Sequence, residues 1–182
     1  FGPETAMPRI LEFLEHVHVR AGVFIVGKVA EQYPALVQEV HRSGHEVAHH
    51  SYSHVNPARQ KPEETWEEFA KAHEILQSLT GAPPRGFRSP AADMTATCWK
   101  FLAEFGFLYD SSLMTRELPY VCEVQNRPIV EIPFHWKLDD WPHFGFNMYP
   151  SLPYMSGISS QEKVYEIWLE EFEGIYEAGL LF

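Results

Sequence analysis

Apolar residues along this chain alternate between helical spacing and short unbroken runs. The first helical stretch comprises Met7, Ile10, Leu11, Leu14 and Val17. This i, i+3, i+4, i+7 spacing predicts an amphipathic helix, with Thr5 as its N-cap and Pro8 in its first turn. Residues 21–26 then form an uninterrupted apolar run, which is typical of a parallel strand covered on both faces.

The same alternation continues to the end of the chain. Further helices are predicted to begin at Pro34, at Pro62, after Thr95 and after Ser159 or Ser160, and to end at Gly44, Gly81, Gly106 and Gly179. Further strands are predicted over residues 46–49, 86–89, 108–110 and 129–136. This order indicates βαβ units around a parallel sheet, and the length of 182 residues favours a single domain over residues 1–182.

Composition and charge narrow the classes of function. A hydrophobic content of 45% with 14% aromatic residues is enough to bury a sizeable core. The net charge of −11 argues against a nucleic-acid partner, because phosphate binding requires a basic surface. The chain has no apolar run of about 18 residues, so we expect no transmembrane span. Its two cysteines, Cys98 and Cys122, form neither a disulfide framework nor a C-x-x-C metal motif.

The candidate chemistry is concentrated around His50 and His54. Two imidazoles four residues apart can place two nitrogens about 2.0–2.1 Å from one divalent ion. Spacing alone is weak support, since the chain has ten histidines and the same spacing recurs at positions 41, 45 and 49. However, His50 follows a predicted strand and His54 lies in the next loop, where α/β proteins place reactive groups. A metal site and a hydrogen-bonded polar loop both remain open.

A longer motif surrounds this pair. Gly44-His45-Glu46-Val47 followed by His50-Ser51-Tyr52-Ser53-His54 resembles the zinc-binding motif of the polysaccharide deacetylase family, the NodB homology domain of carbohydrate esterase family 4. Further matching segments follow in the family's order at residues 86–90, 106–113, 129–133 and 136–142. The last two resemble the branch that contains the Helicobacter-type peptidoglycan deacetylase and its cyclic imidase and allantoinase-like relatives. The similarity extends over essentially the whole chain.

This resemblance implies a fold and a metal centre. The expected fold is α/β, a distorted (β/α) barrel of the NodB type that is incomplete at both ends. The expected cofactor is Zn²⁺ or another divalent transition metal, with His50 and His54 as ligands. In the family, an Asp is the third ligand, a neighbouring Asp is the general base, and a late His is the general acid. We expect these groups to lie outside residues 1–182, and we therefore expect this chain alone to be inactive.

The resemblance also implies roles near the second and third motifs. Arg88 matches the arginine of an Arg-x-Pro motif, in which the guanidinium orients the catalytic carboxylate. Pro90 and Ala91 are expected at the substrate. Ala91 replaces the Tyr that usually follows this proline, and whose backbone N–H can help to hold the oxyanion. The simpler alternative for Arg88 is an ordinary surface arginine.

A late segment resembles the family's Asp and Trp motif. Asp139 and Asp140 are the candidates for an acid that tunes the general-acid His, and Trp136 and Trp141 for an indole wall at the substrate. Ordinary turn-forming aspartates and core tryptophans are the alternatives. The aromatic residues 142–150 that follow suit stacking on sugar rings, a lid, or simple packing.

Three functions are consistent with these motifs. The first is metal-dependent hydrolysis of an amide, with N-deacetylation of an amino-sugar polymer such as peptidoglycan or a chitin-like glycan as the favoured form. The second is a small-molecule amidohydrolase that acts on cyclic imides or ureides. The third is a carbohydrate-binding relative without catalysis. The expected partner is thus an acetylated glycan or small amide. A homo-oligomer and a cytoplasmic location are further expectations.

Overall fold

A computed structural model of the protein describes residues 2–145 and 159–179, and these residues belong to two compact units. The first unit comprises Phe1–Leu113 and Pro119–Ile132, and the second comprises Met114–Leu118 and Pro133–Phe182. The expected single domain over residues 1–182 stays a prediction. Residues 146–150 of the aromatic segment 142–150, and residues 180–182, lie outside the described residues.

Helices and strands alternate through most of the first unit. Its helices are α1 (Met7–His16), α2 (Gly27–Gln32), α3 (Pro34–Arg42), α4 (Pro62–Thr80) and α5 (Ala96–Phe105). Its strands are β1 (Gly22–Ile25), β2 (Glu46–His49), β3 (Gly86–Phe87), β4 (Tyr109–Asp110), β5 (Tyr120–Val124) and β6 (Arg127–Glu131). The second unit contains helices α6 (Trp141–Phe144) and α7 (Gln161–Glu177).

The six strands form one sheet in the order β1-β2-β3-β4-β6-β5. All neighbouring pairs are parallel except β5 and β6, which are antiparallel. The predicted α/β fold with a parallel sheet is therefore confirmed, and within the described residues the sheet is open rather than closed into a barrel. The register aligns Ile25, His49, Phe87, Asp110 and Glu131 across five strands, so the carboxyl ends of these strands lie along one edge.

Local signals placed most helix ends correctly. The Thr95 hydroxyl accepts a hydrogen bond from the Cys98 N–H, and Ser160 caps α7 in the same way. The helix-ending glycines 44, 81, 106 and 179 all adopt positive φ angles, as a left-handed C-terminal residue requires. Thr5 is a correction, because the chain already turns helically over Gly2–Ala6 and α1 has no side-chain cap.

The β5–β6 hairpin and α2 differ from the sequence expectation. Gln125 and Asn126 both have positive φ angles and form the two-residue turn of the hairpin. The strand predicted over residues 129–136 ends at Glu131, and no strand was predicted at 120–124. Short α2 begins at Gly27, where a β-carbon would lie 2.9 Å from the Ala72 Cβ, so glycine permits close packing on α4.

The core of the first unit lies between the sheet and its helices. One cluster is largely aromatic and comprises Phe69, Phe87, Cys98, Phe101, Leu102, Ala103, Phe107 and Ile129. A second is aliphatic and comprises Leu11, Ile25, Ala30, Val37, Val40, Val47 and Leu76. Burial of these side chains fixes the strands that carry the candidate site. Within residues 2–145 and 159–179, none of the helices combines the length and apolarity that crossing a bilayer demands.

Candidate active site

His50 immediately follows β2, and its backbone N–H donates to the Ile25 carbonyl at 3.2 Å. Its ring Nδ1 lies 2.7 Å from the Arg88 carbonyl oxygen. Because a carbonyl can only accept, Nδ1 carries the proton and Nε2 keeps a lone pair. A ligand histidine is commonly oriented in this way, with its second nitrogen bound to a backbone carbonyl. The local backbone therefore presents His50 in the tautomer that a metal ion requires.

The charge state of His50 also suits a ligand. The pKa of His50 is lowered to about 4. Burial is the largest cause, the nearby His54 and Arg88 act in the same direction, and the hydrogen bond to the Arg88 carbonyl opposes them. The ring is thus neutral at neutral pH. Metal binding at His50 then displaces no proton in that range.

His54 is placed beside His50 by an unusual turn. The two ring centroids are 4.8 Å apart, with the ring planes at 72°. Ser51 and His54 have φ angles of 56° and 63°, in the left-handed region that non-glycine residues rarely occupy. The Ser51 hydroxyl accepts the His54 N–H at 3.0 Å. The structure thus brings the two predicted ligands together on a strained backbone, a feature that clusters at functional sites.

Helices α2 and α4 hold this turn in place. The Gly27 N–H donates to the Ser51 carbonyl at 2.8 Å. Ser53 donates from both its N–H and its hydroxyl to Glu68 Oε2, at 2.8 and 2.7 Å. Sequence reasoning assigned no role to Ser53 or Glu68, because no spacing links a loop serine to a glutamate in the next helix. These bonds fix the loop that carries His54.

His49 is a core residue, as its position next to His50 in a strand predicted. It is fully buried among aromatic rings, and its Nε2 donates to the Phe69 carbonyl at 2.9 Å. Its Nδ1 accepts the Ser51 N–H at 3.2 Å. Burial lowers the pKa of His49 to about 3, so it is neutral and fully hydrogen-bonded. Through its bond to Ser51, His49 supports the turn that carries His54.

Arg88 lies at the same edge of the sheet as His50. Its N–H donates to the His49 carbonyl at 3.0 Å, which continues the sheet by one bond. Its guanidinium donates from Nε to the Ser111 carbonyl at 2.7 Å and from Nη2 to the Ser111 hydroxyl at 2.6 Å. The same group lies over the Phe24 ring, 4.5 Å from its centroid. Arg88 is therefore half-buried and held by defined partners, and its role at the catalytic carboxylate stays a prediction.

Ser111 and Ser112 were missed as positioning residues. They belong to a segment that matched the family, but the match gave them no role. Ser111 receives the Arg88 guanidinium, and the Ser112 hydroxyl accepts the Ser89 N–H at 2.9 Å. Both serines are buried. The turn after β4 thereby supports the turn after β3.

Pro90 and Ala91 lie in a tight turn directly after Ser89. The turn spans Pro90–Ala92, and Ala91 has a φ angle of 57°. Pro90 is buried, whereas Ala91 is exposed. The Ser89 hydroxyl donates to the Asp93 carbonyl and closes the turn. Their substrate-binding role stays a prediction, to which the strained, exposed backbone at Ala91 lends support.

Asp139, Asp140, Trp136 and Trp141 belong to the second unit. Asp139 Oδ1 accepts the Trp141 N–H at 2.8 Å, so this aspartate caps the start of α6. Asp140 precedes α6 without a side-chain cap. Trp136 and Trp141 are 40% and 60% exposed and are therefore not core tryptophans. The predicted roles of these four residues stay predictions.

His50 and His54 alone do not make a complete metal site. Among residues 2–145 and 159–179, no three His, Cys, Asp or Glu side chains are grouped to hold one ion. A zinc site has about three protein ligands when catalytic. The neutral His50, with its Nε2 lone pair available, and the adjacent His54 fit two of these positions. That the third ligand lies outside residues 1–182 stays a prediction.

Comparison with known proteins identifies relatives. The sequence profile described as "Polysaccharide deacetylase" matches residues 1–109. A peptidoglycan deacetylase from Helicobacter pylori is 28% identical over 200 residues, which cover 97% of this chain and 68% of that protein. A peptidoglycan-N-acetylglucosamine deacetylase from Bacillus cereus is 32% identical over 108 residues, which cover 59% of this chain and 39% of that protein.

Solved structures give the same assignment. A Mycobacterium smegmatis structure described as a polysaccharide deacetylase superposes with a TM-score of 0.90 at 34% identity, covering 98% of this chain and 62% of that one. An allantoinase superposes with a TM-score of 0.83 over 98% of this chain and 56% of its own, at 22% identity, which shows the fold alone. Because the family profile covers more than half of its residues, the chain belongs to the polysaccharide deacetylase family.

Proposed function

We propose that this chain forms part of the catalytic domain of a divalent-metal-dependent hydrolase that removes N-acetyl groups from an amino-sugar polymer. The observation that carries the proposal is the His50–His54 pair, held 4.8 Å apart with the Nε2 lone pair of His50 available. Members of this family generally depend on a divalent metal ion. Zn²⁺ at these two histidines is the specific form of the proposal.

The residues of this chain would have separate roles in the reaction. His50 and His54 would hold the ion, which when bound supplies Lewis-acid activation of water and of the amide carbonyl. Arg88, fixed by Ser111, would orient the catalytic carboxylate. The backbone N–H of Ala91 would donate to the oxyanion. Each of these residues would act by holding a reacting group in a defined orientation. The buried hydrogen bonds around His50, His54 and Arg88 suit that task.

The second unit would contribute the remaining predicted groups. Asp139 and Asp140 would tune the general-acid His, and the exposed indoles of Trp136 and Trp141 would bind the substrate. Exposed aromatic rings suit the apolar faces of sugar rings, because stacking on such faces removes apolar area from water. Groups outside residues 1–182 would supply the third ligand, the general base and the general acid. The inactivity of these 182 residues alone stays a prediction.

Polymer deacetylation is favoured over the two alternatives. Relatives named for peptidoglycan or chitin deacetylation include a chitin deacetylase from Cryptococcus neoformans, 25% identical over 105 residues. The likeness to an allantoinase concerns the fold alone, so it gives no specific support to a cyclic imide or ureide substrate. An acetylated glycan partner, a homo-oligomer, a cytoplasmic location and the lack of a nucleic-acid partner stay predictions.

The experiment uses the full-length protein that contains this sequence. Acetate release from N-acetylated chito-oligomers is measured beside hydrolysis of succinimide, with and without a chelator. The proposal predicts chelator-sensitive acetate release, lost in His50→Ala and His54→Ala and retained in His41→Ala, an exposed histidine near β2. Turnover of the imide alone would replace the polymer substrate with a small cyclic amide.

A further inference from the structure

Two acidic side chains are completely buried behind the candidate site. Asp110 in β4 and Glu131 in β6 are both 0% exposed and lie opposite each other in the sheet register. Asp110 Oδ1 accepts the Ser112 hydroxyl at 2.7 Å. Glu131 Oε1 accepts the N–H groups of Ser112 and Leu113, at 3.1 and 2.8 Å. One oxygen of each carboxyl group is thus satisfied by the turn after β4.

The second oxygen of each carboxyl group has no hydrogen-bond donor among residues 2–145 and 159–179. Asp110 Oδ2 and Glu131 Oε2 are fully buried and find no N–H or hydroxyl donor within the described chain. Leaving two ionised oxygens in such a place would be strongly destabilising. Two adjacent buried carboxylates also do not both ionise, because each charge opposes the other. A single proton held between the two orphaned oxygens resolves both problems, since a protonated carboxyl group becomes the missing donor.

The electrostatics agree with this geometry. Burial, with the hydrogen bond and charge of Glu131, raises the pKa of Asp110 to about 9, while the Ser112 hydroxyl and the Ser111 N–H lower it. From α5, the group that faces the pair is the Cys98 thiol, whose own pKa is raised chiefly by burial and also by Asp110. Neither the thiol nor the serines bring a positive charge that would balance a second carboxylate.

We propose that Asp110 and Glu131 share one proton and together act as a positioning pair for Arg88. The pair fixes the turn at Ser111–Leu113 from behind, through three hydrogen bonds to Ser112 and Leu113. The front of the same turn receives the Arg88 guanidinium at Ser111. The role of Arg88 at the catalytic carboxylate rests on the proposed function, whereas the inference of a shared proton is independent of it.

The pair also reaches the turn after β3. The Ser112 hydroxyl donates to Asp110 and accepts from the Ser89 N–H, so one hydroxyl joins both turns. Glu131, from the neighbouring strand β6, accepts two successive N–H groups and so orders the Ser112–Leu113 backbone. A singly protonated, hydrogen-bonded pair is suited to this location, since it orders polar groups in the core with one negative charge rather than two.

The shared proton is tested by the pH dependence of unfolding. The unfolded Asp110 loses its proton near its ordinary pKa of 3.8, whereas the folded one keeps it to about 9. The folded state therefore binds one more proton between these values, and the unfolding constant gains a factor of up to about tenfold per pH unit from this group as pH rises. Urea unfolding of the wild type, Asp110→Asn and the control Glu123→Gln, an exposed carboxyl on β5, is compared across this range.

Asp110→Asn supplies a fixed N–H donor. We expect it to reduce the pH dependence of the unfolding constant by the contribution of one proton, while Glu123→Gln leaves that dependence unchanged. An infrared band of a protonated carboxyl group at neutral pH should be present in the wild type and in Glu123→Gln. The band should be absent from both Asp110→Asn and Glu131→Gln. Equal slopes in the wild type and Asp110→Asn, or a wild type without that band, would refute the shared proton.

The positioning role has its own readout in the Arg88 Nε–H signal of a ¹H–¹⁵N spectrum, assigned with Arg88→Lys. We expect Asp110→Asn to keep its protection from hydrogen exchange. Asp110→Ala should lower the protection by about 2- to 10-fold, as loss of one intramolecular hydrogen bond would. If Asp110→Ala does not fold, Ser112→Ala tests the same step. Unchanged protection in the folded variant would overturn the positioning role, and none of these results depends on deacetylase activity.

Discussion

The Nδ1 atom of His50 donates to the backbone carbonyl of Arg88 over 2.7 Å. This bond joins the first predicted ligand to the residue that matches the Arg-x-Pro motif, 38 positions later in the chain. It fixes the His50 tautomer through a backbone atom of Arg88 rather than through its side chain. The guanidinium of Arg88 binds Ser111 instead.

Substitution of either candidate ligand should abolish metal binding by this chain. Two neutral imidazoles bind zinc weakly without a third ligand, so calorimetry of the wild type should show a low affinity that both His50→Ala and His54→Ala eliminate. His41→Ala, which removes an exposed imidazole, is the matched control and should bind as the wild type does. Binding that survives His50→Ala but is lost in His41→Ala would show that we chose the wrong histidines.

Glu68 should affect the metal site without contacting it. Glu68→Ala removes the oxygen that accepts both hydrogen bonds from Ser53, and it therefore loosens the turn that carries His54. Loss of such outer hydrogen bonds typically lowers metal affinity by about 10–100-fold. The adjacent Glu67 is exposed, so Glu67→Ala controls for the change in helix charge. Equal zinc affinity in the two variants, measured by competition with a colorimetric chelator, would show that the Ser53 bonds do not order the site.

His49 should make the protein less stable in acid. Its folded pKa of about 3 lies below the ordinary value of 6.5, so between these values the unfolded state binds one more proton. Stability from this group is therefore complete above about pH 6.5 and declines toward pH 3, by up to about 1.4 kcal/mol per pH unit. His50, with a folded pKa of about 4, adds to the same trend.

The matched variants for this prediction are His49→Leu and His41→Leu, followed by urea unfolding from pH 4 to 7. His49→Leu should lose about 1–3 kcal/mol at pH 7, because the Phe69 carbonyl and the Ser51 N–H lose their partner. The fall of its unfolding free energy toward low pH should also be smaller, by the contribution of one proton. If the unfolding free energy of His49→Leu depends on pH as that of His41→Leu does, then His49 takes up its proton in the folded protein as readily as in the unfolded one.

Arg88 should not tolerate lysine. A single ammonium group cannot reproduce the planar fork that reaches both the carbonyl and the hydroxyl of Ser111. Since the inferred role of Arg88 is to hold the catalytic carboxylate, Arg88→Lys and Arg88→Ala in the full-length protein should lower kcat more than they raise KM. A rise in KM at constant kcat would instead assign Arg88 to substrate binding.

Sequence reasoning located the elements better than the contacts between them. Proline, serine, threonine and glycine placed most helix ends because they act through local backbone geometry, as the Thr95 cap shows. Thr5 failed as a cap because helical turns already precede it. The β5–β6 hairpin was missed because Gln125-Asn126 is a weak turn signal beside Asn-Gly.

The supports of the site could not be predicted for a physical reason. Glu68, Ser111 and the Asp110–Glu131 pair act across strands or between a loop and a helix, so no sequence spacing encodes them. Asp110 in particular looks like an ordinary acid at the end of a strand, and its proton is evident only once its burial is known.

The most direct test of the account is acetate release by the full-length protein from an N-acetylated chito-oligomer, before and after removal of metal. We predict that chelation abolishes release, that added zinc restores it, and that His50→Ala is inactive under all three conditions while His41→Ala follows the wild type. Release that persists in the chelated protein, or in His50→Ala, would contradict a metal-dependent deacetylase site built on His50 and His54.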